Sequence, residues 1–244
     1  MPSFFAPHLT ANDNNLFISG EEYHHIIHVF RKKINDEIIL TNGKGLIAKS
    51  VILSIGKKKL SVEIVDVQEI PKANLEMAVA FPLLKNKHDF MIVEKLTELG
   101  VKEFFPIITE RTVRKPSLNT VEKFEKIAIA AIKQCDNAFL PAINDCLGIK
   151  ELVQKLVNKN YLPAVALEFG EHKYLNEIVS ENMRSVCLII GPEGGFSRKE
   201  ADYLISNDVV PFSLGNHVLR AETAAIAATA QLLAVFLDED PDYY

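Results

Sequence analysis

Two segments, LIIGPEGGFS (residues 188–197) and SLGNHVLRAETAAIAATA (residues 213–230), decide the fold of this chain. Each predicts an apolar strand that runs into a glycine turn and then into a helix. Because glycine has no Cβ atom, it allows a positive φ and a close approach of backbone to a ligand. In open α/β sheets, ligands bind at the carboxyl ends of the strands. The two turns together therefore favour a pocket lined mostly by backbone over a pair of ordinary strand-to-helix turns.

The chain from Leu75 onward alternates between two periodicities. Val121, Phe124, Ala128 and Ile132 show the helical spacing, and HDFMIVEKLTELG is a second helical pattern. Strands that alternate with helices predict an α/β fold with a parallel sheet covered on both faces. The last helix, over residues 221–237, is apolar nearly all the way round, which predicts that it is buried. The predicted strands of the sheet are LEMAVAF, EFFPIIT, LPAVALEF, SVCLIIG and VVPFSLG.

Residues 1–70 have the pattern of a separate small domain made of short strands. Asn42-Gly43 lies between two β-rich runs, which predicts a hairpin. An early helix is predicted in SGEEYHHIIHVFR, with Ser19 as N-cap and Glu22 completing a capping box. We therefore expect a β-barrel-like domain over residues 1–70, a linker QEIPKAN, and an α/β domain over residues 71–244.

Composition narrows the class of protein. The chain has 244 residues, 48% of them apolar and 24% charged, as in globular proteins with a buried core. No apolar run is long enough to span a bilayer, and the first residues lack the pattern of a signal peptide. The three cysteines form no CxxC pair, which predicts a reduced, cytoplasmic protein without structural zinc. The net charge of −5 includes four acidic residues in the tail, so it does not exclude a basic patch elsewhere.

The motifs exclude several common enzyme classes and single out one arginine. The chain has no GxGxxG fingerprint, no phosphate-binding P-loop and no nucleophile elbow. Arg220 opens the last helix, where the helix dipole opposes its charge, so an anionic ligand, a substrate or a partner carboxylate should compensate it. Glu222 and Thr223 follow it and are also candidates for capping this helix. Glu193 is expected to accept backbone N–H bonds, to meet a cation or to complement a helix terminus.

Three basic clusters allow either a solvated surface or an anionic partner. They are Arg31-Lys32-Lys33, Lys57-Lys58-Lys59, and the group of Arg111, Arg114 and Lys115. His24 and His28 lie four residues apart on the early helix, but a metal site needs more than two ligands. A solvated or RNA-facing helix surface is therefore favoured over a metal site.

These motifs resemble the RsmE-type 16S rRNA (uracil-N3)-methyltransferases of the SPOUT class, and the resemblance spans the whole chain. It is carried by LIIGPEGGFS followed by LGNHVLRAETAAIAA, by HHIIHVFRKKINDEI followed by TNGKG, and by LTELGVKEFFPIITERTVRK and KIAIAAIKQC. The chain departs from the family at Asn216-His217, where many members have proline or lysine followed by arginine.

The resemblance implies a PUA-like RNA-binding domain followed by a SPOUT domain whose C-terminal segment forms a trefoil knot. S-adenosylmethionine would bind in the knot, and the enzyme would be a homodimer. Arg220 and Glu222 are the expected catalytic residues, and the expected RNA contacts are His24, Arg31, Lys32, Lys33, Arg111 and Arg114. The expected cofactor contacts are Leu167, Glu168, Ile190, Gly191, Glu193, Gly194, Gly195, Leu214, Gly215, Leu219, Thr223 and Ala224.

The function implied is methylation of N3 of one uridine in 16S rRNA, either in free RNA or in the small ribosomal subunit, without a metal. The methyl donor brings its own reactivity, so the protein has to position the base and to stabilise negative charge on it. Arg220 is the first choice for that charge stabilisation, with Glu222 and Glu193 as candidate bases or orienting groups. Two alternatives remain: a non-catalytic rRNA-binding or ribosome-assembly factor, and a SPOUT methyltransferase acting on another RNA.

Overall fold

A computed structural model describes residues 3–170, 172–180 and 182–236. The acidic tail and the predicted last residue of the final helix lie outside these residues. The chain forms two compact units: the first runs to Lys72 and includes Ile129–Leu140, and the second contains Ala73–Ala128 and the chain from Pro141 onward. No helix within the described residues is both long enough and apolar enough to cross a bilayer.

The first unit is built on one five-stranded sheet with the order β1-β3-β4-β5-β2. Strand β1 runs parallel to β3, and the other neighbours are antiparallel. The predicted hairpin is confirmed, because the Asn42 Oδ1 atom accepts backbone hydrogen bonds from Lys44 and Leu46 and closes the turn between β3 and β4. The strands are β1 (Ser3–Phe5), β2 (Asn15–Ser19), β3 (Glu37–Thr41), β4 (Leu46–Ile55) and β5 (Lys59–Glu69).

The early helix of the first unit differs from its prediction at the cap. Helix α1 (Gly20–His24) continues into a π-helical turn, His25–Val29. Ser19 is the N-cap, but its side chain makes no capping hydrogen bond, so the predicted capping box is wrong. The Glu22 carboxylate instead lies 2.5 Å from the Lys133 ammonium. A charged partner stabilises a carboxylate more than a neutral backbone N–H does, which accounts for the difference.

The second unit contains a parallel sheet, which confirms the predicted α/β architecture. Its strand order is β12-β10-β11-β6-β7-β8, and β9 also pairs with β7. Every one of these pairs is parallel. The strands are β6 (Glu76–Pro82), β7 (Glu103–Ile108), β8 (Ala142–Ile143), β9 (Leu147–Gly148), β10 (Leu162–Ala166), β11 (Ser185–Ile189) and β12 (Val210–Phe212).

Both faces of this sheet are covered. On one face Phe81 and Phe104 meet edge to face, and Phe81 also contacts Phe124 of α3. Since side chains alternate along a strand, Ala80 and Phe105 point to the other face, where they join a core with α4 and α6. The helices of the chain from here on are α2 (His88–Glu98), α3 (Thr120–Gln134), α4 (Ile149–Asn158), α5 (Leu175–Ile178), α6 (Arg198–Ser206) and α7 (Ala221–Phe236), with a short 3₁₀ turn at Lys85–Lys87.

Helix α7 is buried on one face only. Ala225, Ala228 and Leu232 are among its buried residues, and the helix packs against α2, β6 and β11. Ala230 and Ala234 on the same helix are exposed. The predicted burial of this helix is therefore confirmed for one face, and the opposite face is exposed within this chain. An apolar composition shows that a face can be covered but not what covers it.

The strand order creates a crevice next to β10. The chain leaves β10 to form β11 on one side and returns to form β12 on the other. At such a reversal the connections after neighbouring strands diverge, and ligands bind in the crevice between them at the carboxyl ends. The trefoil knot expected for this part of the chain stays a prediction.

Candidate active site

A cavity of about 460 Å³ opens at the carboxyl ends of β10, β11 and β12. Its volume lies in the range of small-molecule sites, roughly 300–1,000 Å³. The loops after these three strands and the first turn of α7 form most of its wall. The lining residues are Arg111, Ala166, Leu167, Glu168, Phe169, Gly170, His172, Tyr174, Ile190, Gly191, Pro192, Gly194, Gly195, Phe196, Ser213, Leu214, Gly215, Asn216, His217, Val218, Leu219, Ala221 and Ala224.

Local sequence explains the turn after β11. The Gly195 N–H donates to the Pro192 carbonyl at 2.8 Å, and Gly195 has a φ of +66°. Glycine adopts this conformation without steric cost, whereas other residues do so rarely. Ser197 then caps α6 through a capping box with Glu200, so the helix begins directly after the turn. The turn is thus fixed between a buried strand and a capped helix.

Most of the expected cofactor contacts meet in this cavity. All of them line it except Glu193 and Thr223. The Glu193 carboxylate is directed elsewhere, since it accepts a hydrogen bond from the Lys85 N–H at 3.4 Å. Thr223 is exposed on α7. The cavity includes residues of both predicted glycine turns.

Arg220 lies at the edge of the cavity. It precedes α7, and its carbonyl accepts the first helical hydrogen bond, from the Ala224 N–H at 2.8 Å. Its neighbours Leu219 and Ala221 line the cavity. The Arg220 side chain is exposed, and among the residues that the structure describes it makes no hydrogen bond or ion pair. Its charge opposes the helix dipole, and none of the described carboxylates pairs with it.

Glu222 faces away from the cavity and pairs with a histidine. It is buried, and its Oε1 atom lies 2.8 Å from Nδ1 of His88, the first residue of α2. The turn that leads to His88 contains two residues with positive φ, Asn86 and Lys87. Such non-glycine residues store backbone strain that the surrounding contacts have to hold. Two contacts hold this turn, one between Glu222 and His88 and one between Glu193 and Lys85. The turn therefore contacts both segments that the sequence singles out, residues 188–197 and 213–230.

The basic cluster after β7 is divided between two intrachain contacts. Arg111 lines the cavity, and its Nη1 atom donates to the Gly194 carbonyl at 2.6 Å. The Arg114 guanidinium pairs with the buried carboxylate of Asp89. Burial raises the pKa of Asp89, and the adjacent Arg114 charge partly opposes that shift. Both arginines were expected on RNA from sequence, and each has a defined partner within its own chain.

The other expected RNA contacts lie in the first unit. His24, Arg31 and Lys33 are exposed, while Lys32 is half-buried and donates from Nζ to the Glu37 carbonyl at 2.9 Å. The rings of His24 and His28 lie 4.9 Å apart. In the described part of the chain, no group of three or more His, Cys, Asp or Glu side chains is arranged to hold a metal ion.

Sequence reasoning missed several residues of the site. Phe169, His172 and Tyr174 line the cavity from the loop after β10. Phe169 ends a predicted strand of the parallel sheet and the other two residues follow it, which was a usable signal because every such loop opens at the same edge. His88 and Glu222 lie 134 residues apart, and no local pattern links them.

Comparison with known proteins identifies both parts of the chain. Residues 71–233 match a family model described as RNA methyltransferase domain, and residues 18–65 match one described as RNA methyltransferase PUA domain. A structure of a methyltransferase from Legionella pneumophila with bound S-adenosylmethionine superposes with a TM-score of 0.87 at 29% identity, covering 96% of this chain and 97% of that one.

Two relatives carry the same name, ribosomal RNA small subunit methyltransferase E. The Bacillus subtilis protein is 30% identical, with 88% of each chain covered. The Rickettsia conorii protein is 32% identical over 92% of this chain and 91% of its own length. With these matches along nearly its whole length, the chain belongs to the ribosomal RNA small subunit methyltransferase E family.

Proposed function

We propose that the protein transfers a methyl group from S-adenosylmethionine to N3 of a uridine in 16S rRNA. The observation that carries the proposal is the cavity at three strand ends, with Arg220 at its edge, where it pairs with no carboxylate among the described residues. A non-catalytic rRNA-binding factor would have no need to retain such a cavity. The names of the relatives support rRNA as the substrate, and the uridine N3 position follows from the family resemblance.

The cavity fits the methyl donor in size and chemistry. An adenosine needs a narrow apolar slot with backbone hydrogen-bonding groups, and Ile190, Leu214 and Leu219 supply apolar surface between the glycine turns. A Cβ atom on Gly191 would lie 3.0 Å from the Phe196 ring, so the ring would have to move by a few tenths of an ångström to accept a larger residue. When bound, S-adenosylmethionine supplies an electrophilic methyl group on a sulfonium. The chain's own task is to orient the donor and the base.

Arg220 carries the catalytic part of the proposal. Uracil N3 holds a proton at neutral pH, and the nitrogen becomes a good nucleophile once that proton has left. Solvent accepts this proton, and its removal spreads negative charge over O2, N3 and O4. The planar Arg220 guanidinium would stabilise that charge as a positioned donor does in an oxyanion hole. Its exposed position at the cavity edge leaves it open to an extruded base.

Glu222 acts in this proposal as a positioning residue. Its carboxylate holds His88 across α2 and α7 and does not line the cavity. Through this contact it fixes the first turn of α7, which directly follows Arg220. Glu193 has the corresponding role for the turn after β11, through its bond to Lys85.

RNA binding is assigned to the first domain, residues 1–70, and catalysis to residues 71–244. We expect Arg31 and Lys33 to bind phosphates, because both are exposed. Replacing both by alanine should flatten the log-log salt dependence of rRNA binding by roughly one unit for each phosphate that is no longer neutralised. Cofactor affinity should not change. Lys32→Ala is the matched control with a smaller effect, since Lys32 is bonded to a carbonyl. If the salt dependence of rRNA binding is unchanged in the double variant, this surface contacts solvent and not RNA.

The proposal includes a homodimer in the cytoplasm, where ribosomes are assembled. The exposed Ala230 and Ala234 on the apolar helix α7 supply a surface that a second copy would cover. Light scattering should then report about twice the chain mass of 27.3 kDa. A monomer at micromolar concentration with full methylation activity would remove this part of the proposal.

Mass spectrometry of RNA tests the function directly. Cells that lack the protein should lose one N3-methyluridine from 16S rRNA and regain it with the wild-type chain. The Arg220→Ala variant, expressed at the same level, should restore little of it. Loss of a methyl group from tRNA instead would favour the alternative substrate, and an unchanged pattern in all RNA would favour the assembly factor.

A further inference from the structure

The Gly194-Gly195 turn carries two opposite charges, one beside each glycine. The Arg111 guanidinium donates to the Gly194 carbonyl at 2.6 Å, and Arg111 Cδ lies 3.4 Å from the point where a Cβ on Gly194 would stand. Beside Gly195, the nearest atom to the corresponding point is Oε2 of Glu168, at 3.7 Å. The two side chains come from loops after different strands, β7 and β10. The turn thus brings a guanidinium and a carboxylate to one part of the cavity wall.

Neither charge is neutralised within the described residues. Arg111 and Glu168 both line the cavity, and no ion pair involves either of them there. Arg111 uses one N–H group on a neutral carbonyl, which leaves further donors of its fork available. The neighbouring Arg114, which is half-buried, instead meets the carboxylate of Asp89. The Arg111 contact therefore orients a cation without compensating its charge.

These two opposite charges on one part of the cavity wall match the amino acid end of the methyl donor. That end carries an ammonium and a carboxylate on one carbon atom, so a receptor needs an anion and a cation close together. We infer that Arg111 binds the α-carboxylate of S-adenosylmethionine and that Glu168 binds its α-ammonium. The inference rests on the proposed function. A guanidinium suits this task because it pairs with a carboxylate through two parallel hydrogen bonds.

Arg111 lies against the second glycine of GPEGG in this arrangement. Its guanidinium donates to the Gly194 carbonyl, and a Cβ atom on Gly194 would stand in ordinary van der Waals contact with the Arg111 stem. The guanidinium is then located by the same loop that lines the cavity. Recognition of the donor divides into an adenosine part, held by backbone and apolar side chains, and an amino acid part, held by two charges.

Calorimetry with related ligands separates the two parts. S-adenosylhomocysteine has the amino acid end and is not consumed, whereas 5′-methylthioadenosine lacks this end altogether. Arg111→Ala in the full-length chain should weaken S-adenosylhomocysteine roughly tenfold, the usual size of one charge-assisted contact at a partly exposed site. Affinity for 5′-methylthioadenosine should stay the same. Arg111→Lys should recover part of the loss, and Lys199→Ala, an exposed residue outside the cavity lining, should have no effect.

Decarboxylated S-adenosylmethionine distinguishes the two charges from each other. It keeps the ammonium and lacks the carboxylate, so Arg111→Ala should leave its affinity unchanged. Glu168→Gln should weaken both this ligand and S-adenosylhomocysteine severalfold, again with 5′-methylthioadenosine unaffected. The glutamine keeps the shape of the side chain and removes only the charge.

Several outcomes would overturn the inference. An equal loss for all three ligands would mean that Arg111 only supports the turn. Unchanged S-adenosylhomocysteine affinity in a folded Arg111→Ala variant would exclude the carboxylate contact, and a loss of rRNA affinity alone would assign Arg111 to the RNA surface. If the wild-type chain binds neither S-adenosylmethionine nor S-adenosylhomocysteine, the proposed function fails together with this inference. If the wild-type chain binds S-adenosylhomocysteine and the Arg111→Ala variant binds it equally well, only this inference fails.

Discussion

The two edges of the parallel sheet are built from the same strands and differ in how their polar groups are used. At the amino edge, Glu103 opens β7 and accepts hydrogen bonds from Lys159, Tyr161 and Asn144. At the carboxyl edge, glycine turns line a cavity, and the charges of Arg111, Glu168 and Arg220 form no ion pair among the described residues.

This difference separates stability from ligand binding within one sheet. A buried carboxylate with several donors has its desolvation cost offset by its partners and ties neighbouring elements together. A charge without a partner contributes little to folding but is ready to meet a ligand of opposite sign. Variants at the amino edge should therefore change stability, and variants at the carboxyl edge should change binding or rate.

The largest effect is expected for Arg220→Ala. Its single-turnover methylation rate should fall by roughly 10²–10³, the range for loss of one oxyanion-type donor. Cofactor affinity should change little, because Arg220 does not line the cavity. Raising the pH should partly rescue the variant, since solvent then takes the N3 proton more readily. Arg220→Lys should recover little, because an ammonium lacks the planar fork.

A structural role for Arg220 makes a different prediction. In that case the melting temperature and cofactor affinity would fall together, and pH would not rescue the rate. That combination would mean that Arg220 contributes to stability, as the amino-edge residues do, and would contradict the division between the two edges.

Gly195→Val should weaken S-adenosylhomocysteine binding by roughly 10–100-fold. Its φ of +66° is strained for a β-branched residue, at a cost of about 1–3 kcal/mol, so the turn has to change shape. Gly100→Val is the matched control, because Gly100 has a φ of +82° and precedes β7 at the opposite edge. Calorimetry and thermal unfolding should show weakened binding in the first variant and reduced stability with normal binding in the second. Equally weakened binding in both would mean that backbone strain acts on the whole domain.

Glu103→Gln should lower the free energy of unfolding by about 1–2 kcal/mol. The glutamine retains the size of the side chain but gives up the charge that holds Lys159. Only one of its two terminal atoms can accept a hydrogen bond, so it cannot keep both the Tyr161 and the Asn144 hydrogen bonds. The loss of stability should be modest because Lys159 is 46% exposed and can be solvated when its partner is removed. Chemical denaturation measures the change, and cofactor affinity serves as the control. A variant with normal stability and weakened cofactor binding would contradict the division between the edges.

Tyr161→Phe should have the smallest effect, about 1 kcal/mol at neutral pH. Burial and the adjacent Glu103 carboxylate raise the pKa of the Tyr161 phenol. A raised pKa in the folded state stabilises the protein below the unfolded-state pKa, about 10, and this contribution is lost as the pH rises through the folded-state pKa. The stability gap between wild type and variant should therefore narrow above pH ~10. Denaturation at pH 7 and above pH ~10 measures it, with Tyr203→Phe as the control, and a constant gap would rule out the pKa shift.

The sequence predicted the local parts of the site and not its long-range pairs. The turns after β11 and β12 were identified because strand, glycine and helix signals lie within a few residues of one another. Arg111 was assigned to RNA, since a basic cluster does not indicate what lies opposite it. The contacts of Arg111 with Gly194 and of His88 with Glu222 join residues 83 and 134 positions apart. Such pairs have no common periodicity that a single sequence could display.

The sequence also did not predict the long-range contacts of whole helices. The apolar composition of α7 predicted burial, but only packing against α2 shows which face is covered. Ser19 was placed correctly at the start of α1, whereas the partner of Glu22 was Lys133, far along the chain. A cap requires only its own helix, and an ion pair requires the tertiary fold.

Local sequence is sufficient to specify the alternation of strands and helices, the glycine turns at the strand ends and the position of Arg220 before the last helix. Hydrophobic periodicity and backbone sterics act over a few residues, so these features are encoded locally. The folded chain was needed to establish that β10 lies between β11 and β12, that their loops enclose one cavity, and that Arg111 and Glu168 flank the same turn. Those outcomes depend on which distant surfaces are buried together, because burial is a property of the packed chain and not of any one segment.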